Sequence, residues 1–203
     1  MHFEAGKGCV GNVAAAAKPP PPAAAKPLVA PTSSCTDKAS CETRCNDKEA
    51  GACVALSSML YADGKGSAAD GPRALDLASK ACDEGQLRGC VVAGEILYNG
   101  FGMSKDPSKS APRFAKACDG GESTGCVDLG WSYLYGMGVS KDPNAAAASF
   151  GKACNATSAL GCIGLGGMYR DGRGVASDKH KANQFFKQAC DAGVGVGCKM
   201  MAQ

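Results

Sequence analysis

Histidine is almost missing from this chain: His2 and His180 are the only two in 203 residues. That removes the commonest metal ligand and the commonest general base. A catalytic metal site or a Ser-His-Asp arrangement therefore finds no support, and His180 reads as a solvated surface residue. No Cys-x-x-Cys occurs, which argues against a zinc knuckle and against a redox dithiol. Aromatic residues are 6% of the chain, too few for one large interior, whereas many small local cores would suit that composition. The net charge of +3 is small and evenly spread, so no nucleic-acid-binding face is expected. No apolar run reaches the length of a membrane span. No phosphate-cradling loop is present, and no cofactor or metal is expected.

What the chain has in excess is cysteine, 13 in all, far too many for a reducing cytosol. The expectation is export, to a periplasm, a cell envelope or the outside. Ten of the cysteines are in register. Cys45, Cys82, Cys118, Cys154 and Cys190 are spaced by 37, 36, 36 and 36 residues, and each is followed eight residues later by Cys53, Cys90, Cys126, Cys162 or Cys198. Other residues keep phase with them: Gly94, Gly130 and Gly166; the Gly-x-Gly of Gly100/Gly102, Gly136/Gly138 and Gly172/Gly174; and Asp106, Asp142 and Asp178. Self-similarity at this period marks a solenoid or array.

Within a turn the apolar spacing is helical. Leu129, Tyr133 and Leu134 mark the buried face of a first helix, as do Leu56/Leu60/Tyr61, Ala93/Leu97/Tyr98 and Leu165/Tyr169. Gly-x-Gly ends that helix, since glycine takes the left-handed cap at low cost. Asp106-Pro107 and Asp142-Pro143 then start a second, with aspartate capping free amides and proline fitting the first helical position. Asp70-Gly71-Pro72 is a looser copy. The second helix is alanine-rich, carries one large anchor (Phe114, Phe150 or Phe186) and ends in Lys-Ala-Cys or close to it. Each repeat is thus helix A, turn, helix B.

The motif L-G-x-x-Y-x-x-G-x-G-V-x-x-D, followed by K-A, resembles the Sel-one-like repeat (SLR) family, a relative of the tetratricopeptide repeat. Leu129-Gly130, Tyr133, Gly136, Gly138, Val139, Asp142 and Lys152-Ala153 match it, and Leu165-Gly166, Tyr169, Gly172, Gly174, Val175 and Asp178 match nearly as well. The paired cysteines resemble the Hcp-type cysteine-rich subgroup exported by some bacteria. The first turn departs from the pattern: it is one residue longer, Ser57 replaces the small glycine, and Gly64/Gly66 are shifted. The resemblance implies an all-α fold, an α/α solenoid of about four helix-turn-helix repeats over residues 35–203, with half-repeats at both ends.

In that framework the eight-residue spacing reads as a bridge from the end of each helix B to the start of the next helix A: Cys45–Cys53, Cys82–Cys90, Cys118–Cys126, Cys154–Cys162 and Cys190–Cys198. Each such loop stabilises by roughly 2.5 kcal/mol in the chain-entropy model. Cys35–Cys41 is left as a sixth pair, although other pairings among Cys35, Cys41, Cys45 and Cys53 stay open. Residues 1–34 contain a Pro/Ala tract from Lys18 to Pro27, expected to be a disordered, extended tether. Its first residues have no apolar h-region, so an export signal upstream of Met1 is one expectation. Cys9, just before the tether, resembles the acylated cysteine of a bacterial lipoprotein and is a candidate lipid anchor, against the alternative of a free thiol.

Ser149-Phe150-Gly151-Lys152 matches the Ser-x-x-Lys of penicillin-interacting enzymes, and the Hcp-type resemblance allows weak β-lactamase activity or binding of cell-wall fragments. Lys152, however, stands where Lys80 and Lys116 also stand, and neither Ser-Asp-Asn nor Lys-Thr-Gly is present. The primary expectation is a non-catalytic exported adaptor, a monomer that binds protein or peptide on its concave surface. In tetratricopeptide-like folds the A helices line that side, which makes Glu95, Asn99, Asp128, Trp131, Tyr135 and Arg170, with Asp171, the candidate contacts. Trp131, the only tryptophan, serves either as a binding anchor or as packing against a neighbouring helix. A further alternative is an assembly factor resembling the disulfide-rich SLR factor of mitochondrial cytochrome c oxidase.

Overall fold

The structure is a computed structural model that describes residues 35–62 and 70–201. The Pro/Ala tract, Cys9, His2 and Gly64/Gly66 lie outside the described residues. The described residues form ten helices and no strand. A half-repeat, α1 (Lys38–Asn46), precedes four A–B hairpins: α2 (Ala50–Ala62) with α3 (Asp70–Asp83), α4 (Leu87–Asn99) with α5 (Pro107–Asp119), α6 (Ser123–Tyr135) with α7 (Pro143–Asn155), and α8 (Ala159–Asp171) with α9 (Lys179–Asp191). A last A helix, α10 (Gly195–Met201), closes the stack. Each helix packs chiefly on its neighbours in sequence, the pattern of an α/α solenoid.

The helix ends follow from the residues at them. Gly100, Gly136 and Gly172 take left-handed caps at φ 73°, 73° and 66°. The amides of Lys109, Ala145 and Lys181 donate to the carboxylates of Asp106, Asp142 and Asp178 at 3.2, 3.0 and 3.0 Å, as a capping aspartate should. Asp106 is held at a pKa of about 2, first by the hydroxyl of Ser108 and then by Lys109. The second glycine of each A–B turn has a further reason to be there. A Cβ on Gly138 would collide with the Pro107 carbonyl, and one on Gly174 with that of Pro143, so these turns lie against the helix B start of the preceding repeat.

The layers are set by phenylalanine on glycine. Phe114, Phe150 and Phe186 are buried, and their rings lie where a Cβ of Gly94, Gly130 and Gly166 would be. The glycine on helix A thus opens a seat for the ring that helix B supplies. The first repeat lacks both halves of this device. Ala78 stands at the phenylalanine position and Ser57 at the glycine position; Ser57 is fully buried and donates to the Ala74 carbonyl at 2.7 Å. That exchange explains why the first turn escapes the motif without losing its core.

Six disulfides clasp the hairpins: Cys35–Cys41, Cys45–Cys53, Cys82–Cys90, Cys118–Cys126, Cys154–Cys162 and Cys190–Cys198, with Cα atoms 4.4–5.1 Å apart. The turn inside each eight-residue loop needs one residue in the left-handed region. Glycine fills it at Gly85, Gly121 and Gly193, whereas Lys48 takes it at φ 67° and Thr157 at φ 64°, where the branched side chain of Thr157 is strained. Successive B helices are also tied through their ends: Lys116 donates to the Cys82 carbonyl at 3.0 Å, and Lys152 pairs with Asp119 at 3.0 Å. Lys116 and Lys152 share this role, whereas Lys80 pairs with Asp76 of its own helix at 2.8 Å.

Candidate functional site

The A helices form the closer-spaced row. α2 meets α4, α4 meets α6 and α6 meets α8, whereas among the B helices only α5 and α7 approach in this way. A stack whose A helices are nearer together bends with that row inside. α4, α6 and α8 are largely buried, and part of what each leaves open follows one stripe. On α6 the stripe is Thr124, Asp128, Trp131 and Tyr135, four residues at helical spacing and none fully buried. Thirty-six residues earlier the same positions on α4 are Arg88, Val92, Glu95 and Asn99. Thirty-six later they are Leu160, Gly164, Gly167 and Asp171 on α8.

Five of the six candidate contacts stand on these stripes. Asn99 donates to the Tyr61 hydroxyl at 2.5 Å, linking α4 to α2. Tyr135 is 38% exposed. Trp131 does two things at once: its ring stacks on Tyr135, centroids 5.8 Å apart, and meets Phe150 edge-on at 4.9 Å. It is therefore partly core and partly wall. Arg170 differs from the other five. It occupies the register position of Tyr98 and Leu134, beside the stripe, and its Nε donates to Asp171 at 2.8 Å.

Glu95 and Asp128 are brought together from neighbouring helices. Desolvation raises the Glu95 carboxyl, with Arg88 opposing. Desolvation raises Asp128 well above the usual carboxylate range, the Glu95 charge raises it further, and Arg88 again opposes. Asp128 as a residue is half-buried, but its Oδ2 is buried and has no hydrogen-bond partner. Desolvation also raises the Tyr61 and Tyr98 hydroxyls; Glu95 and Asp128 add to the first, and Asp128 to the second. Arg88 forms its own link, donating to Thr124 Oγ1 at 3.3 Å.

Sequence reasoning missed Arg88, Leu160 and Val196. The signal was available in the register, because Arg88, Thr124, Leu160 and Val196 are spaced by 36 residues each and so share one position of the stripe. Leu160 and Val196 are 43% and 52% exposed.

The Ser-x-x-Lys pair is not assembled for chemistry. Ser149 is buried and donates to the Ala145 carbonyl of its own helix at 2.8 Å, while Lys152 is turned to Asp119. His180 is exposed and lies 3.1 Å from the side-chain amide of Gln184. Among the described residues no group of three or more His, Cys, Asp or Glu side chains could hold a metal ion, and no helix is long and apolar enough to cross a membrane. Hollows of about 450 and 340 Å³ lie beside the Cys118–Cys126 and Cys154–Cys162 bridges, away from the stripes.

The fold and this surface define a class: a disulfide-stapled α/α-repeat scaffold with one open row. Comparison with known families gives that class a name. The Sel1 repeat model matches residues 50–86, 89–122, 123–158 and 159–194, and the chain belongs to the Sel1 repeat family. Its proteins generally bind other proteins. Among solved structures, c5321, described as a protective antigen of uropathogenic Escherichia coli displaying an SLR fold, is similar at 23% identity and TM-score 0.73, over 82% of this chain and 36% of that one. A Sel1 repeat protein from Oxalobacter formigenes is similar at 26% identity and TM-score 0.67, over 82% of this chain and 48% of that one. Helicobacter pylori cysteine rich protein B is similar at 28% identity and TM-score 0.55, over 68% of this chain and 98% of that one. The chain thus spans less than two thirds of the first two. A search of curated proteins gave no match. The six bridges fit the Hcp-type subgroup and point to an oxidising, exported environment.

Proposed function

We propose that this chain is an exported, non-catalytic adaptor that holds an extended polypeptide along the inner row of its A helices. The observation that carries this reading is where its exposed apolar residues lie. Tyr135, Leu160 and Val196 are the large hydrophobic side chains left exposed among the described residues, and all three stand on the A-helix row, Tyr135 at the register position of Asn99, Leu160 and Val196 at that of Arg88. Apolar side chains gathered on one row, where the other large hydrophobics among the described residues are buried or half-buried, mark a surface for another molecule. Aromatic Trp131 and Tyr135 supply rigid contact area of the kind that dominates binding energy.

Export fits the bridges, and the periplasm or outer cell surface with a lipid anchor at Cys9 fits the tether. Labelling the full-length gene product with a palmitate analogue tests the anchor; absence of label on Cys9 ends that idea. The adaptor reading is tested with a random dodecapeptide display library selected against the disulfide-intact chain. Selected peptides should lose binding to a Tyr135→Lys/Leu160→Lys variant of unchanged circular dichroism. Peptides that bind this variant as tightly as the parent chain refute the inner row as the binding surface.

A further inference from the structure

The inner row carries one feature that apolar contact does not explain. Asp128 Oδ2 is buried without a partner, and a buried carboxylate oxygen without a donor costs free energy in the folded chain. Glu95, from the neighbouring helix, adds a second carboxyl close enough to act on it. The cation nearest in register is Arg88, and its guanidinium is turned to Thr124; neither acid forms an ion pair with it. Two carboxyls thus stand close together, and among the described residues Asp128 Oδ2 has no donor.

The neighbouring positions on the row add to this. Trp131 stands one turn beyond Asp128 on α6, at the register position of Glu95, and its ring is pinned by Tyr135 and Phe150. The matching position on α8 is Gly167, where a Cβ would meet nothing within 4 Å. Two acids, a fixed aromatic face and an unfilled glycine position lie in sequence along three adjacent helices. A cation over an indole face gains further attraction.

We infer that Glu95 and Asp128 are the receptor for one basic side chain, lysine or arginine, of the polypeptide held on the inner row, with Trp131 as the aromatic wall beside it. This rests on the inner row being the binding surface. The incoming cation supplies the donor that Asp128 Oδ2 lacks. Burial raises both carboxyls, so a fall in pH protonates them and weakens binding of the cation. The other groups that bear on the pair are Arg88 and Tyr98 from α4 and Tyr61 from α2. Burial raises both tyrosine hydroxyls, so they stay neutral up to alkaline pH and the carboxyls set this dependence.

The test uses the full disulfide-intact chain and the peptides selected from the dodecapeptide library at pH 8. Binding is read by the fluorescence of Trp131, the only tryptophan. Selected peptides should share one basic position. Changing it to glutamine should weaken binding about tenfold, and changing lysine to arginine there tells which cation fits better. The tenfold preference should shrink from pH 8 to pH 5. It should vanish in Glu95→Gln/Asp128→Asn, which keeps the apolar part of the affinity. Should that variant misfold, the glutamine substitution and the pH series on the parent chain still decide. Peptides that bind the inner row with no basic position, or whose glutamine forms bind equally well, overturn the receptor and leave the adaptor reading standing. Peptides indifferent to Tyr135→Lys/Leu160→Lys overturn both.

Discussion

Two glycines inside A helices should respond to alanine in opposite directions. At Gly130 a Cβ would stand 2.7–2.9 Å from three ring carbons of Phe150. That ring cannot retreat: Phe150 is fully buried, Trp131 meets it edge-on at 4.9 Å, and its Cδ1–Cε1 edge also lies where a Cβ of Gly164 on α8 would be. Overpacking of this kind costs about 1–3 kcal/mol. Alanine returns about 1 kcal/mol over glycine in a helix interior, so Gly130→Ala should lose about 1 kcal/mol net. At Gly167 nothing lies within 4 Å of the new methyl, so only the propensity gain remains, about 0.5–1 kcal/mol. Guanidinium unfolding with the bridges intact, followed by circular dichroism, should move the midpoint down for Gly130→Ala and up for Gly167→Ala. Shifts of the same sign would refute the claim that phenylalanine seated on a glycine helix sets the layer spacing.

Three further outcomes follow from the same geometry. Thr157 is the branched exception among the left-handed turn residues, so Thr157→Gly should raise stability by about 1 kcal/mol, measured by the same unfolding midpoint. Replacing the Cys118–Cys126 bridge with two alanines should cost roughly 2.5 kcal/mol, again read as a midpoint shift. The raised carboxyls of Glu95 and Asp128 mean that the folded chain holds protons the unfolded chain has released. Their contribution to stability is full below the unfolded carboxylate pKa, near 4, and is lost as pH rises through the folded values. Asp128→Asn should therefore raise the midpoint at pH 8, by an amount on the order of 1 kcal/mol, with little effect at pH 4; a constant shift across that range would contradict the burial argument.

The fold was legible because its causes are local. A cysteine spacing of 36, a capping Asp-Pro and a Gly-x-Gly stop each act within a few residues, and they repeat until chance is excluded. The exception at Ser57 was visible as a departure, but its compensation was not, since Ala78 opposite it lies on another helix. The candidate site was less legible for the same reason. Glu95 and Asp128 sit 33 residues apart, out of phase with the repeat, so comparing equivalent positions never pairs them. Trp131 could not be assigned to wall or core from one helix, because the deciding contact, Phe150, comes from the next. Arg170 stands one residue from Asp171, which places its side chain about 100° around the helix from the stripe.

The central claim is that sulfur bridges between successive hairpins hold up a stack of small layers that share no single interior. Peptide mapping of the natively isolated chain, alkylated before digestion, tests it most directly. The account predicts that Cys82 is recovered joined to Cys90, Cys118 to Cys126, Cys154 to Cys162 and Cys190 to Cys198, with no alkylated thiol among them. Alkylated thiols at those positions in the folded chain would contradict both the architecture and the exported environment drawn from it.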